Sequence, residues 1–335
     1  MADQLDIDDV RERIRKQQEA RTELEAARFE QQYSFIRPFD LAAASYVRQV
    51  QDDDRFYLGL TDIDLLTRGH SRGDLTFVTG RPFSGKTQLV LNAVNYNSSA
   101  HGIIFTPDET AEMVLAKLVG IRYGVDAKQL EERILTADPE TIKLIHHVAA
   151  VDFSRLIVVD AGLSIDQMGQ AVTEAEDHWQ QPIDYAVYDY LELLPGDTGF
   201  NGVTAKAQAM KRWTKLANVP MICLHQAKKG DSGRGESVGI SDMRFGGDDA
   251  ATAILGVYRK RENQKLTQLE RLGHKNTVTV NVAKNKRPPM LTGETDLYLH
   301  PETGLIRSLT KADLVRDGAP TRNAAEMLRS TQEKQ

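Results

Sequence analysis

Residues 80–87 are Gly80-Arg81-Pro82-Phe83-Ser84-Gly85-Lys86-Thr87, an octapeptide that matches the pattern G-x-x-x-x-G-K-[ST]. A short apolar run precedes it, and residues 88–97 have a helical pattern, so it stands between a predicted strand and a predicted helix. In that setting backbone N–H groups surround phosphate oxygens, Lys86 reaches the β and γ phosphates, and Thr87 binds Mg²⁺. The pattern therefore predicts a site for a nucleoside triphosphate and Mg²⁺ that extends to Gln88.

Short apolar runs alternate with helical patterns from residue 75 onward, which is typical of a parallel sheet wrapped by helices. The predicted strands are residues 75–78, 103–105, 156–159, 185–188, 221–224 and 254–258. Two later runs, residues 277–282 and 296–299, predict a hairpin at one edge of the sheet. Ser164 and Gln167 are spaced as a capping box that opens a helix. The fold class is therefore α/β, with a mostly parallel central sheet flanked by helices and a C-terminal β-hairpin.

Acidic side chains follow two of the predicted strands. Asp108 and Glu109 come just after the second strand, at the edge where open α/β sheets bind ligands, so either could deprotonate an attacking water. They could instead simply favour the N-terminus of the next helix. Asp189 ends the fourth strand and is predicted to hold Mg²⁺ through its water shell, although a strand-end Asp is often only a cap. These residues indicate phosphoryl chemistry because they accompany the phosphate-binding loop.

Further polar residues suit phosphate sensing and contacts with other molecules. Gln226 ends the next strand and is placed to sense the γ phosphate. The loop after it carries Lys228, Lys229 and Arg234, which could grip a phosphodiester backbone or merely be exposed. A second basic group, Lys284, Lys286 and Arg287, suits an arginine finger that enters a neighbouring subunit's site. Its alternative is a basic hairpin end without a role.

Charge is distributed unevenly along the chain. The net charge of −6 argues against a uniformly basic nucleic-acid binder. Residues 201–245 nevertheless contain eight Lys or Arg against three acids, and residues 259–287 contain nine against two. Any contact with a polyanion is therefore expected to be local. The single cysteine, Cys223, excludes an internal disulfide, and the acidic start without an apolar leader favours a cytoplasmic protein without a membrane span.

The amino-acid composition and the helix-breaking and polar linker segments predict that the chain has three regions. Residues 1–55 are rich in charged residues and alanine and predict an N-terminal helical extension and linker that contacts another subunit or is a frayed terminus. Residues 56–308 form the predicted nucleotide-binding domain. Residues 309–335 predict a polar C-terminal tail with little order.

Four segments together resemble the motor domain of DnaB-type helicases. They are Leu58-Gly59-Leu60-Thr61-Asp62-Ile63-Asp64, Phe77-Val78-Thr79-Gly80-Arg81-Pro82, Asp189-Tyr190-Leu191-Glu192-Leu193-Leu194 and Ser241-Asp242-Met243-Arg244. The resemblance spans about residues 56–300. It implies a RecA-like fold, a six-membered ring with ATP sites between subunits, single-stranded DNA in the central channel, and replication partners such as a loader or primase.

The resemblance also implies roles for individual residues. It assigns the catalytic carboxylate to the Asp108 position, with Glu109 beside it, Mg²⁺ to Asp189, phosphate sensing to Gln226, and the DNA backbone to Arg244, Phe245 and Gly246. Three departures from the family pattern stand out. The family usually has Glu at the Asp108 position, and its Lys-x-Arg finger becomes Lys284-Asn285-Lys286 followed by Arg287, which would displace the finger by one residue. Only 55 residues precede the matching region, where the family has a large N-terminal domain, so the resemblance leads us to expect a short form like that of a phage or plasmid replication motor.

Two other functions remain compatible with the sequence. A RadA-like or RecA-like recombinase shares the fold and the phosphate-binding loop but builds filaments on DNA. A regulatory ATPase would use the basic loops to bind a protein partner, and stimulation of its ATPase by DNA would exclude it.

Overall fold

A computed structural model describes residues 39–51, 53, 55–227, 235–243 and 247–318 of the 335-residue chain. The predicted helix within residues 1–35 lies outside these residues, as does the chain beyond residue 318. Two basic segments, residues 228–234 and 244–246, are also outside them. The described residues include the whole predicted sheet and the phosphate-binding loop.

One large sheet organises the chain. In chain order the strands are β1 Arg55–Phe56, β2 His70–Ser71, β3 Leu75–Gly80, β4 Gly102–Phe105, β5 Leu156–Val159, β6 Tyr185–Tyr188, β7 Met221–Gln226, β8 Ala253–Tyr258, β9 Thr277–Asn285, β10 Gly293–Leu299 and β11 Ile306–Ser308. Strands β1 and β2 form a separate antiparallel ribbon, and the other nine have the order β11-β10-β9-β8-β3-β7-β6-β4-β5. The six strands from β5 to β8 in this order are parallel, and β9, β10 and β11 extend the sheet in antiparallel fashion.

Helices pack on both faces of this sheet, and the described residues form ten α-helices in all. They are α1 Phe39–Gln51, α2 Thr61–Thr67, α3 Lys86–Tyr96, α4 Ala111–Tyr123, α5 Ala127–Leu135, α6 Pro139–His147, α7 Ile165–Trp179, α8 Gly199–Ala217, α9 Gln268–Gly273 and α10 Lys311–Arg316. Among the described residues, none of these helices is long and apolar enough to cross a membrane.

The apolar core lies in two layers because side chains of a strand alternate between its faces. Phe77 and Ile103 belong to one buried cluster, whereas their neighbours Val78 and Ile104 belong to the other. Every residue of β3 is buried, as expected of a central parallel strand with helices on both sides. This explains why the strands appear in the sequence as continuous apolar runs.

The predicted strands are confirmed, each within three residues at either end. The helix after β5 begins with the predicted capping box of Ser164 and Gln167. The predicted hairpin of β9 and β10 at one edge of the sheet is also confirmed. The short strand β11, which the sequence analysis did not predict, pairs with β10 and is the outermost strand on that side.

The prediction of an unstructured polar tail from residue 309 is wrong for its first part. Residues 311–316 form α10, whose Leu314 is fully buried. The carboxylate of Asp313 accepts hydrogen bonds from Arg307 and Thr310, so a segment that looks polar in sequence satisfies its charges internally. Asp317 then accepts two bonds from Asn276, which anchors the end of α10 beside β9.

Candidate functional site

The phosphate-binding loop joins β3 to α3. Residues 81–85 turn between the strand and the helix, and Gly85 has φ 102°, a conformation that favours glycine. Lys86 is the first residue of α3, and its Nζ donates to the carbonyl oxygens of Gly80 at 3.0 Å and Arg81 at 3.1 Å. Burial lowers the pKa of Lys86. The loop thus presents an ammonium group and a helix N-terminus at the carboxyl edge of the sheet.

Phe83 stands out within the loop. It has φ 63° and is 94% exposed, at the rim of the cavity described below. A bulky residue in the left-handed region is uncommon. Three other residues of the predicted nucleotide site are Pro82, Ser84 and Gln88. Of these, Pro82 and Gln88 line the cavity. Gln88 donates to the carbonyl oxygen of Gly304 at 2.9 Å, which joins α3 to the turn between β10 and β11.

Thr87 and Asp189 meet at the foot of the loop. The Thr87 hydroxyl donates to Oδ2 of Asp189 at 2.8 Å, across 102 residues of sequence. Asp189 follows β6 and is buried, and burial raises its pKa to about 6. A buried carboxylate with few compensating charges is stabilised in its ionised form by a nearby cation. Together with the hydroxyl of Thr87, it offers the oxygen ligands that Mg²⁺ prefers.

The two adjacent acids after β4 have different surroundings. Asp108 lines the cavity with Lys86, Thr87 and Asp189. Glu109 makes an ion pair with Lys117 of α4 through both carboxylate oxygens. The structure therefore places Asp108 on the cavity wall, whereas Glu109 is bound by a lysine and acts on the site through its charge, which contributes to the raised pKa of Asp189 after the larger effect of burial. Lys117 also lines the cavity, a contact that the sequence analysis did not predict.

Gln226 ends β7, next to β3, and lines the same cavity. Its backbone N–H donates to Oε1 of Glu192 at 3.0 Å. The Nδ1 atom of the buried His225 lies 3.7 Å from the same oxygen. Glu192 therefore connects the end of β7 to the segment after β6. A displacement of Gln226 would thus also move the segment that contains Glu192.

The cavity enclosed by these elements has a volume of about 600 Å³. Its far wall comes from residues that the sequence analysis missed: Arg259, Arg261, Asn276, Leu299, His300 and Pro301. Arg259 is buried, and burial lowers its pKa to about 10. Its Nε has no hydrogen-bond partner within the described part of the chain, although another nitrogen donates to the Lys275 carbonyl oxygen. Because β8 adjoins β3, the edge rule that located Asp189 would also have located Arg259.

The basic residues at the end of β9 and in the turn after it lie at the amino-terminal ends of the parallel strands, opposite the carboxyl edge that carries the phosphate-binding loop. Strand β9 is antiparallel to β8, so Asn285 is paired with Ala253 at the start of β8. Lys284 donates to the Asp248 carbonyl oxygen at 2.6 Å, and the exposed Lys286 donates to that of Asp249 at 3.2 Å. Arg287 instead makes an ion pair with Asp74 of the same chain. These three cations therefore lie away from the phosphate-binding loop of their own chain.

The predicted DNA-binding residues Lys228, Lys229, Arg234, Arg244, Phe245 and Gly246 lie outside the described residues. The segments that flank them are described. Ala227 and Met243 pair in an antiparallel bridge, so the ends of this region come together. Ser237 donates to Glu294, and Asn281 donates to the Val238 carbonyl oxygen at 3.1 Å. The end of the first basic loop is thus attached to β9 and β10.

Comparison with known proteins gives a consistent result. Residues 56–304 match the family described as DnaB-like helicase C terminal domain. The replicative DNA helicase DnaC of Bacillus subtilis (strain 168) is 24% identical over 246 residues, covering 70% of this chain and 52% of that protein. The replicative DNA helicase DnaB of Synechocystis sp. (strain ATCC 27184 / PCC 6803 / Kazusa) is 26% identical over 212 residues, covering 58% and 23%. The chain thus spans about half of the first relative and about a quarter of the second.

Solved structures share the fold. One of them, a structure of an ATPase domain, has a TM-score of 0.67 at 19% identity and covers 82% of this chain and 99% of that chain. A DnaB-like replicative helicase, whose structure was reported with its interactions with primase, has a TM-score of 0.65 at 18% identity and covers 83% and 68%. These similarities confirm the predicted RecA-like P-loop fold.

Proposed function

Since the chain belongs to the family of DnaB-like helicase C-terminal domains, we propose that it is the motor of a replicative DNA helicase. In this proposal, hydrolysis of ATP drives movement along single-stranded DNA. The observation that carries it is the convergence of Lys86, Thr87, Asp108, Asp189 and Gln226 around one cavity at the carboxyl edge of the sheet. Strand ends separated by up to 146 residues supply these groups, as phosphoryl transfer requires.

The roles follow from the positions. Lys86 and the N-terminus of α3 would bind the β and γ phosphates, and Asp108 would orient the attacking water and accept its proton. Gln226 would contact the γ phosphate and relay its loss through its own backbone N–H, which is bonded to Glu192. Arg259, a buried cation that lines the same cavity, would add positive charge beside the bound phosphates.

Thr87 and Asp189 are the residues that would hold Mg²⁺. When bound, the ion neutralises charge that develops on the phosphate oxygens during transfer. The raised pKa of Asp189 supports this assignment, since a cation at that carboxylate offsets the cost of its buried charge. We assign ATP as the nucleotide from the family.

The basic turn would act on a neighbouring subunit. In a homohexamer with sites between subunits, Lys286 is the best candidate for the finger because it is exposed, whereas Arg287 is paired with Asp74. Lys284 would support the turn through the Asp248 carbonyl oxygen. We therefore assign the finger to Lys286 rather than to Arg287.

DNA contacts are assigned to the basic segments near the bridge of Ala227 and Met243. Lys228, Lys229 and Arg234 would contact the phosphodiester backbone, as would Arg244 with Phe245 and Gly246. The local excess of positive charge in residues 201–245 supports this on a chain of net charge −6. A loader and a primase are the expected partners. A phage or plasmid motor of this kind would work in the cytoplasm of a host.

The test is the ATPase rate with and without single-stranded DNA, with particle mass measured in parallel by light scattering. Stimulation of a particle of six subunits would support the motor, and Arg244→Ala should lose the stimulation while keeping the basal rate. Lys86→Ala is the control for contaminating ATPase. Filaments that grow on DNA would instead indicate a recombinase, and hydrolysis that DNA does not affect would indicate a regulatory ATPase.

A further inference from the structure

Asp108 and Glu109 are consecutive, yet they face different partners. Asp108 lines the nucleotide cavity, whereas the Glu109 carboxylate is bound through both oxygens by the ammonium of Lys117. Both members of this pair are partly shielded, with side chains 18% exposed for Glu109 and 30% for Lys117. Partial burial makes such a pair stronger than an exposed one.

The backbone between β4 and α4 is held tightly. The Thr106 hydroxyl both accepts from the Glu109 N–H and donates to its carbonyl oxygen, each at 3.2 Å. Thr110 is the N-cap of α4, and its side chain accepts from the Met113 N–H. The turn of residues 106–110 is therefore fixed to the strand at one end and to the helix at the other. Because the turn is held at both ends and the two residues are adjacent, a shift of the backbone at Glu109 would also move Asp108.

Lys117 lies in the middle of α4 and reaches back toward the turn. Its side chain lines the same cavity as Asp108 and Asp189, so it connects the helix, the turn and the nucleotide site. A carboxylate whose two oxygens are bonded to an ammonium is poorly placed to accept a proton from water. Asp108, by contrast, is one methylene shorter than a glutamate and depends on the position of its backbone to reach the water.

We propose that the Glu109–Lys117 ion pair positions the turn of residues 106–110 so that Asp108 faces the attacking water. This inference rests on the proposed function, because it assigns Glu109 and Lys117 to positioning in the same hydrolysis reaction. Misplacement by roughly 1 Å can cost about 100-fold in rate, so loss of the pair should lower turnover without preventing nucleotide binding.

The experiment compares kcat and KM for ATP in the assembled 335-residue protein. We expect Glu109→Gln and Lys117→Met each to lower kcat about 10-fold to 30-fold with KM changed by less than about threefold. The double variant should be no worse than either single variant, because the two residues act as one unit. Asp108→Asn should lower kcat by more than about 100-fold. Lys117→Arg should retain most of the activity because a guanidinium also binds both oxygens of a carboxylate.

The matched control is Lys128→Met on α5. Lys128 lies 3.8 Å from Glu132 in an exposed ion pair and does not line the cavity, so its kcat should equal that of the wild type. Circular dichroism and thermal melting of each variant establish that it is folded. The charge-reversed pair, Glu109→Lys with Lys117→Glu, should recover activity relative to either single reversal.

Specific results would overturn the inference. If Glu109→Gln abolished hydrolysis while Asp108→Asn had a small effect, Glu109 would be the base. A large rise in KM for Lys117→Met at unchanged kcat would make Lys117 a phosphate ligand. Wild-type kcat in both Glu109→Gln and Lys117→Met would remove the positioning role and leave the proposed function intact. A wild-type protein without ATPase activity under any condition would overturn both.

Discussion

The two ends of the same sheet differ in how their charged residues are used. At the carboxyl edge, Lys86, Asp108 and Asp189 come from separate parallel strands and meet around one cavity. The amino-terminal ends of the same strands lie about 20 Å from the carboxyl edge, because a six-residue strand rises about 3.3 Å per residue. There Lys286 and Arg287 lie on one short turn. The first group is complete within a single chain. The second contains an arginine that is already paired and a lysine that is exposed.

The difference shows where a functional group can be identified from one chain. Strand ends of a parallel sheet converge by topology, so the carboxyl edge acquires its chemistry from the fold itself. A turn at the other edge acquires a role only from a neighbouring molecule. The proposed choice of Lys286 as the finger rests on its exposure, whereas Arg287 is bound by Asp74.

The largest expected effect concerns the carboxyl edge. Lys86→Ala should lower ATP hydrolysis by more than about 1000-fold, because the ammonium stabilises charge that develops on the transferred phosphoryl group. The loss should be the same at all protein concentrations, since the residue acts within its own chain. Steady-state ATPase assays across a dilution series measure this. The control is Lys143→Ala, which removes an exposed lysine of α6, and partial activity that rises with protein concentration would contradict the assignment.

Lys286→Ala should lower hydrolysis by about 100-fold, and only through the neighbouring subunit. Mixing provides a sharp measurement. A subunit with Lys86→Ala still donates Lys286, and a subunit with Lys286→Ala still has an intact phosphate-binding loop, so mixed assemblies should contain some complete sites. Recovery of ATPase activity on mixing two inactive variants is the expected result. Absence of recovery in assemblies shown to be mixed would mean that Lys286 does not act across the interface.

The contrast between the edges also explains what the sequence could predict. Apolar runs identified the strands within three residues because central parallel strands are buried on both faces. The site residues at the strand ends followed from that sheet. The orientations of Asp108 and Glu109 could not follow, because they depend on Lys117, eight residues beyond Glu109 on the next helix. Helix α10 was missed since Asp313 looks like a solvated charge until Arg307 is found beside it.

Arg287→Ala should act on stability rather than on hydrolysis. Asp74 would lose the guanidinium while keeping its bond from the Ser71 N–H, and loss of a hydrogen bond between charged groups costs about 2 to 3 kcal/mol. Urea unfolding measures the change. The kcat of the folded, assembled variant should match the wild type. If Arg287→Ala had the stability of the wild type but lost ATP hydrolysis only in the assembled protein, Arg287 rather than Lys286 would be the finger.

The smallest expected effect is the pH dependence set by His70, beside Asp74 and Arg287. His70 is buried with Nδ1 2.9 Å from the Thr76 hydroxyl, and burial lowers its pKa to about 4. Because this folded pKa is below the unfolded value of about 6.5, the stability it contributes is complete above pH 6.5 and is lost as the pH falls toward 4.

Between pH 7 and pH 5 the loss attributable to His70 should be about 2 kcal/mol, and His70→Gln should remove it, whereas the exposed-residue control His178→Gln should not. Arg287→Ala should make the loss smaller than in the wild type, since the positive charge of Arg287 lowers the pKa of His70, whereas the negative charge of Asp74, which remains in the variant, raises it. Urea unfolding at both pH values measures these slopes. An unchanged slope in Arg287→Ala would mean that the two residues at this edge are not coupled.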